Sequence, residues 1–187
     1  MLGFIGGTGP EGKGLALRFA ISGINVFIGS RQEQRGVEAA EDLISKFDEI
    51  DGSLVKGGTN VSAASDCEIA VICTPYAGHR ETLEDLKQIL IGKTVVDVVA
   101  PLSFQKGSIT AIEVEEGSAA QEAQLLLPES NVVGAFQNVS AEDLLMPSKQ
   151  VTCDVIVCSN DQSAKEQVML LGERIPVIRS VDGGNLE

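Results

Sequence analysis

The sequence predicts an α/β protein with a doubly wound, mostly parallel sheet. Two observations carry that expectation. Short apolar runs alternate with amphipathic segments along the whole chain, and the first apolar run ends in a glycine-rich turn that opens directly into such a segment. With 187 residues the chain can bury a sizeable core, and no internal repeat, low-complexity stretch or linker divides it. Residues 1–187 are therefore expected to form a single dinucleotide-binding domain.

The opening segment organises the rest. Leu2, Phe4 and Ile5 read as a strand, and the helical pattern of Leu15, Ala16, Phe19 and Ala20 runs on to a stop at Gly23. Between them Gly7-Thr8-Gly9-Pro10-Glu11-Gly12 fits the G-x-G-x-x-G spacing of Rossmann-type domains. There the first glycine makes a tight turn, the second lets backbone approach a pyrophosphate, and the third packs helix on strand. The N–H groups of the first helical turn then face the phosphates.

A second strand is expected over residues 24–28, ending in Gly29-Ser30-Arg31. About 20 residues past the glycines, a carboxylate would hold the ribose of NAD. This chain has Ser30 and Arg31 there instead, with Arg35 one helical turn on, and these donors suit a 2′-phosphate. The spacing points to NADP(H).

The remaining elements follow in order. Val37, Ala40, Leu43, Ile44 and Phe47 recur at helical intervals up to about Asp48. A short strand is expected over 54–56, a brief helix over 60–65, and a buried strand over 68–74 that stops at Pro75. A helix over about 76–90 leads to a strand over 94–99, closed by Ala100-Pro101, and residues 102–110 read as a polar loop. A helix over 118–127, a strand over 131–136 and a capped turn at Ser140 come next. Strand 153–158, helix 162–172 and strand 177–181 complete the chain.

Composition narrows the function. A formal net charge of −13 argues against nucleic acid and against adsorption on anionic membranes. No apolar run is long enough for membrane insertion and no secretory leader is visible, so a cytoplasmic protein is expected. Cys67, Cys73, Cys153 and Cys158 show no C-x-x-C spacing or nearby His pairs, so they read as reduced thiols without a metal.

In doubly wound sheets, ligands bind beyond the carboxyl ends of the strands. That rule gathers the glycine loop, the Gly29–Arg31 tip, residues 74–79 and residues 99–102 into one crevice, with residues 136–139 as a fifth wall. Thr74-Pro75 and Val99-Ala100-Pro101 form an apolar shelf for a nicotinamide. No side chain there is assigned as catalytic. His79 reads as a surface or capping histidine without a partner carboxylate, and Asp97, amid valines, must be hydrogen-bonded if buried. The lack of a proton shuttle favours hydride exchange between two redox cofactors.

Phe4-Ile5-Gly6-Gly7-Thr8-Gly9, Gly12-Lys13-Gly14-Leu15-Ala16-Leu17-Arg18 and Ile28-Gly29-Ser30-Arg31 resemble the NADPH-dependent reductases of the deazaflavin coenzyme F420. The similarity continues through Asp66–Val71, Lys93–Val96 with Pro101, and Asp154–Cys158, to Asp182-Gly183-Gly184. It implies stereospecific hydride transfer between NADP(H) and coenzyme F420. It also implies roles for residues: Thr8, Ser30, Arg31 and Arg35 in the 2′-phosphate pocket, Pro75 and Tyr76 beside the nicotinamide, and Val98, Ala100 and Pro101 where the two rings meet. Two departures stand out. Gln137-Asn138 replace a histidine common in the family, and the chain ends at Glu187, where family members continue into a helical segment that helps form the acceptor site and the dimer. That segment is expected to be absent here, and a homodimer is the default assembly. Alternatives that keep the NADP site are an NADPH-dependent reductase of a flavin or another small-molecule hydride acceptor, and a non-catalytic NADP-binding sensor module.

Overall fold

A computed structural model describes residues 1–105 and 107–187. Ten strands and seven α-helices alternate through it. The first half comprises β1 (Leu2–Ile5), α1 (Pro10–Ile21), β2 (Val26–Ser30), α2 (Glu33–Lys46), β3 (Val55–Thr59), α3 (Asn60–Asp66), β4 (Ile69–Ile72), α4 (His79–Leu86) and β5 (Thr94–Asp97). The second comprises β6 (Leu102–Gln105), β7 (Ser108–Ala111), α5 (Ala119–Leu126), β8 (Asn131–Gly134), α6 (Ala141–Leu144), β9 (Cys153–Ser159), α7 (Gln162–Gly172) and β10 (Ile178–Gly184).

Eight strands form one sheet in the order β10-β9-β8-β5-β4-β1-β2-β3. Every neighbouring pair is parallel except β8 and β9, so the expected doubly wound, mostly parallel sheet is present. The chain winds outward from β1 to β3, then crosses back to β4 and winds the other way. The switch point between β1 and β4 opens the crevice beyond their carboxyl ends.

Adjacent residues of the central strands point to opposite faces, and both faces are buried. Phe4 and Val96 join the core shared with α1, where Leu15, Phe19 and Phe136 pack, while Ile5 and Val95 join the core under α3, α4 and α5. Phe19 meets Phe136 edge to face with ring centroids 6.2 Å apart. The carboxyl ends of the central strands are thus held by packing on both sides, which fixes the loops that rise from them.

Several boundaries differ from expectation for local physical reasons. The second strand starts at Val26 because Ile24 is still closing α1: Gly23 turns with φ +80°, its N–H bonds the Ala20 carbonyl, and the Ile24 N–H bonds that of Phe19. Helix α4 ends at Leu86, whose carbonyl accepts from both Ile89 and Leu90. A single 3-10 turn, Tyr76–Gly78, precedes it. Of the segment expected as a polar loop over 102–110, residue 106 lies outside the described residues, and 102–105 instead pair antiparallel with 108–111 as the hairpin β6–β7. The Ile112 N–H bonds the Pro101 carbonyl at 2.7 Å and ties the hairpin base to the end of the β5 loop.

Candidate functional site

A crevice of about 1020 Å³ lies where those carboxyl ends meet. Its floor is the glycine loop. Gly6, with φ +68°, makes the turn out of β1, and its N–H bonds Asn60 Oδ1 at the start of α3. Gly7 lies underneath, its N–H bonding the Gly29 carbonyl at 3.0 Å. A Cβ on Gly12 would come within 2.5 Å of Gly7 Cα, so α1 reaches the sheet this closely only with glycine there. A Cβ on Gly9 would meet nothing within 4 Å, which leaves open space for a ligand against the backbone. Helix α1 starts without a side-chain cap, so the N–H groups of its first turn remain for an anion.

The tip of β2 forms one end. The Ser30 Oγ accepts from the Gln32 N–H at 3.3 Å and faces the crevice. Arg31 and Arg35 line the rim, exposed, and neither has a salt bridge or hydrogen-bonded side chain among the described residues. Lys13, one turn into α1, is engaged with Asp42 at 3.3 Å and so is not directed at the loop.

Cys73, Thr74, Pro75, Tyr76, Val98 and Ala100 line the other end, rimmed by Leu102 and Ser103 of β6 and by Ile112. Thirteen of the fifteen expected binding residues lie on this one surface. Gly7 and Pro101 do not line it: one supports Gly12 from below and the other anchors the hairpin. Sequence reasoning missed Asn60, Cys73, Glu81, Thr82, Ser103 and Ile112. Asn60 was recoverable in principle, because a polar residue opening a short helix beyond a strand end faces the crevice.

Two buried side-chain oxygens lack a hydrogen-bond partner among the described residues: Glu11 Oε1 and Thr74 Oγ1. Both residues line the crevice. Burial pushes the Glu11 carboxyl up to about 7. Cys73 is pushed up as well, first by burial and then by the neighbouring carboxyls of Glu11 and Asp97.

The expectation for His79 is overturned. It is fully buried, with Nε2 2.7 Å from Asp97 Oδ2 and Nδ1 3.2 Å from Glu122 Oε2, and it stacks beneath Tyr76 with ring centroids 5.9 Å apart. Its partner carboxylates lie 18 and 43 residues away in the chain, which hid them from a local reading. Burial alone would lower its pKa, but the bonds and charges of Asp97 and Glu122 outweigh burial and hold it above the ordinary histidine value. The other Asp97 oxygen accepts from the Val99 N–H at 2.9 Å, and the Asp97 carbonyl accepts from Gln137 Nε2 at 2.7 Å. Asp97 is therefore buried and fully bonded, and the imidazole braces α4 and α5 against the loop that carries Val98 and Ala100.

These features together suit a phosphorylated dinucleotide: a backbone floor for a pyrophosphate, unpaired guanidinium groups with a serine at one end, and an apolar shelf with unsatisfied polar atoms at the other. Among the described residues no group of three or more His, Cys, Asp or Glu side chains could hold a metal ion, and no described helix is long and apolar enough to cross a membrane.

Comparison with known proteins agrees. A curated relative from Methanothermobacter marburgensis, named F420-dependent NADP reductase, is 36% identical over 98% of this chain and 83% of its own length. Another of the same name, from Methanocaldococcus jannaschii, is 37% identical over 100% of this chain and 84% of its own. A solved structure from Arthrobacter sp. FB24 superposes with a TM-score of 0.82 at 26% identity, covering 98% of this chain and 84% of that one. A family model described as NADP oxidoreductase, coenzyme F420-dependent, matches residues 1–101, which span the glycine loop, the β2 tip and the β4 and β5 ends. On that match and those relatives, the chain belongs to the coenzyme F420-dependent NADP oxidoreductase family.

Proposed function

We propose that this chain is an oxidoreductase that transfers a hydride between NADP(H) and the deazaflavin coenzyme F420. The observation that carries the proposal is the joint occurrence, in one crevice, of the open glycine floor and of Arg31 and Arg35, without a carboxylate partner among the described residues, beside Ser30. The names of the curated relatives support the choice of acceptor. When bound, the nicotinamide supplies or accepts the hydride. The protein binds and orients: the backbone N–H groups of Gly9, Glu11 and Gly12, with Pro10 opening the helix, hold the diphosphate, and Thr8, Ser30, Arg31 and Arg35 hold the 2′-phosphate. Val98 and Ala100, with Thr74, Pro75 and Tyr76, present an apolar wall that keeps water from the reacting ring.

Hydride transfer between two ring systems generates no alkoxide, so positioning is the main demand on the protein. The brace of Asp97, His79 and Glu122 meets that demand by fixing the loop from which the shelf rises. The proposal extends to residues 1–187 acting as one domain, to a cytoplasmic location and to a homodimer, the commonest assembly.

Anaerobic mixing of the purified chain with NADPH and oxidised coenzyme F420, or with FMN in its place, tests the acceptor. Loss of the deazaflavin's visible absorbance with coenzyme F420 and little change with FMN is the expected result. Turnover with FMN alone would move the assignment to flavin, and tight NADPH binding without turnover on either would indicate a sensor.

A further inference from the structure

Glu11 is out of character for its place. It sits in the first turn of α1, where a bound diphosphate would repel a carboxylate, yet the chain buries its Oε1 there without a partner among the described residues. It lies close enough to Cys73, at the end of β4, for its charge to bear on that thiol, and Thr74, with the second orphaned oxygen, is the next residue. Both unsatisfied oxygens belong to residues that line the crevice together with Val98. A dinucleotide anchored at Arg31 and on the loop would extend its nicotinamide half toward these residues at the other end of the crevice. This inference rests on the NADP(H) proposal above.

We propose that Glu11 is a redox-linked proton site: its carboxyl is neutral beside the reduced nicotinamide and becomes a carboxylate beside the oxidised, cationic ring. Replacement of NADPH by NADP+ then breaks the O–H bond of Glu11 and releases one proton to solvent. No electrons move in this step. Coulomb attraction supplies the coupling, because a cation within a few ångströms favours the charged form of a carboxyl, while a neutral ring leaves it protonated. Glu11 already titrates near neutrality through burial, so a modest push in either direction changes its charge at working pH.

The surrounding groups leave this role to Glu11. Cys73 from β4 is held as a neutral thiol by burial, and Asp97 from β5 is committed to His79 and the Val99 N–H. Arg31, Arg35, Glu81 and Tyr76 also line the crevice: the guanidinium groups stand at its β2 end, and the Tyr76 hydroxyl is shifted away from neutrality.

The test is the affinity of the wild-type chain and of Glu11→Gln for NADP+ and for NADPH, measured by calorimetry between about pH 5.5 and 8.5 and repeated in buffers of different ionisation enthalpy. The 2′-phosphate also titrates, with a pKa of about 6 for such a group, but it is common to both forms and cancels in their ratio. For the wild type, affinity for NADP+ relative to NADPH should climb with pH, by at most about tenfold per unit for one linked proton, and near pH 7 NADP+ binding should release more protons than NADPH binding, by at most one. Glu11→Gln, the same size and able to bond but not to ionise, should show a flat ratio and the same proton release for both cofactors, that of the 2′-phosphate. A flat ratio in the wild type would overturn the inference even if the variant failed to fold, and so would an unchanged slope in Glu11→Gln. If both cofactors bind with a flat ratio, the inference falls and the NADP(H) assignment stands. If neither binds at any pH, both fall.

Discussion

Arg31 and Arg35 stand at the β2 end of the crevice with no carboxylate engaged by either among the described residues, an unusual condition in a chain of net charge −13. Unspent guanidinium groups beside a buried serine are what a 2′-phosphate needs. Arg31→Ala should therefore weaken NADPH binding by roughly 1.5–3 kcal/mol, the scale of a charge-assisted hydrogen bond, and leave NADH binding nearly unchanged. Fluorescence titration of the two cofactors checks this, and equal losses would count against the assignment. The places of Gly9, Gly12 and Arg31 along the crevice were legible from spacing, because they depend on near neighbours in the chain. His79 was not, because its meaning depends on Asp97 and Glu122 from other elements. Its folded-state pKa is raised, so the stability it contributes is present below the unfolded histidine value of about 6.5 and is lost as pH rises through the higher folded value. His79→Gln should cost about 3 kcal/mol at pH 6, as removal of one partner from a buried ion pair does. The gap to wild type should narrow at alkaline pH. Denaturant unfolding at a series of pH values measures that gap, and a gap independent of pH would mean that His79 is neutral throughout.

At the scale of elements, α1 performs two tasks that its sequence only partly announces. Its first turn faces the crevice, and further along its length Arg18, nearly buried, donates to the carbonyls of Asp143, Leu144, Met146, Pro147 and Lys149. One guanidinium thereby closes the end of α6 and the turn after it, while Gly14 lets Leu144 press against the helix. Arg18→Ala should destabilise the fold by about 3 kcal/mol, because several carbonyls lose a charged donor together. Thermal unfolding checks this, and hydrogen exchange should show the loss concentrated in residues 141–149. The hairpin β6–β7 was the element least legible in the sequence. Residues 102–111 are short, largely exposed where their burial is described, and mix polar with apolar side chains without the clean alternation that marks a half-buried strand. Strands buried on both faces, such as β4 and β5, were plain because a continuous apolar run has few other uses at that length. Helix α4 was overextended in the sequence reading, since Ile89 and Leu90 continue the helical spacing although the chain has already turned.

Across the whole molecule, the arrangement of strands converts local motifs into a site. The glycine turn, the β2 tip and the two shelves come from four loops spread from Gly6 to Ala100, and only the switch in winding between β1 and β4 brings them to one edge of the sheet. That convergence was legible from the alternation of elements and the rule for where such sheets bind ligands. The depth of the crevice was not, because the hairpin at its rim lacks a clean strand pattern and the brace beneath its shelf depends on long-range contacts. The central claim is that this edge grips a phosphorylated dinucleotide. Isothermal titration calorimetry of the purified chain with NADPH and NADH tests it most directly. The account predicts saturable one-site binding of NADPH with at least about tenfold preference over NADH, equivalent to about 1.4 kcal/mol from the 2′-phosphate contacts. Absence of NADPH binding, or tighter binding of NADH, would contradict it.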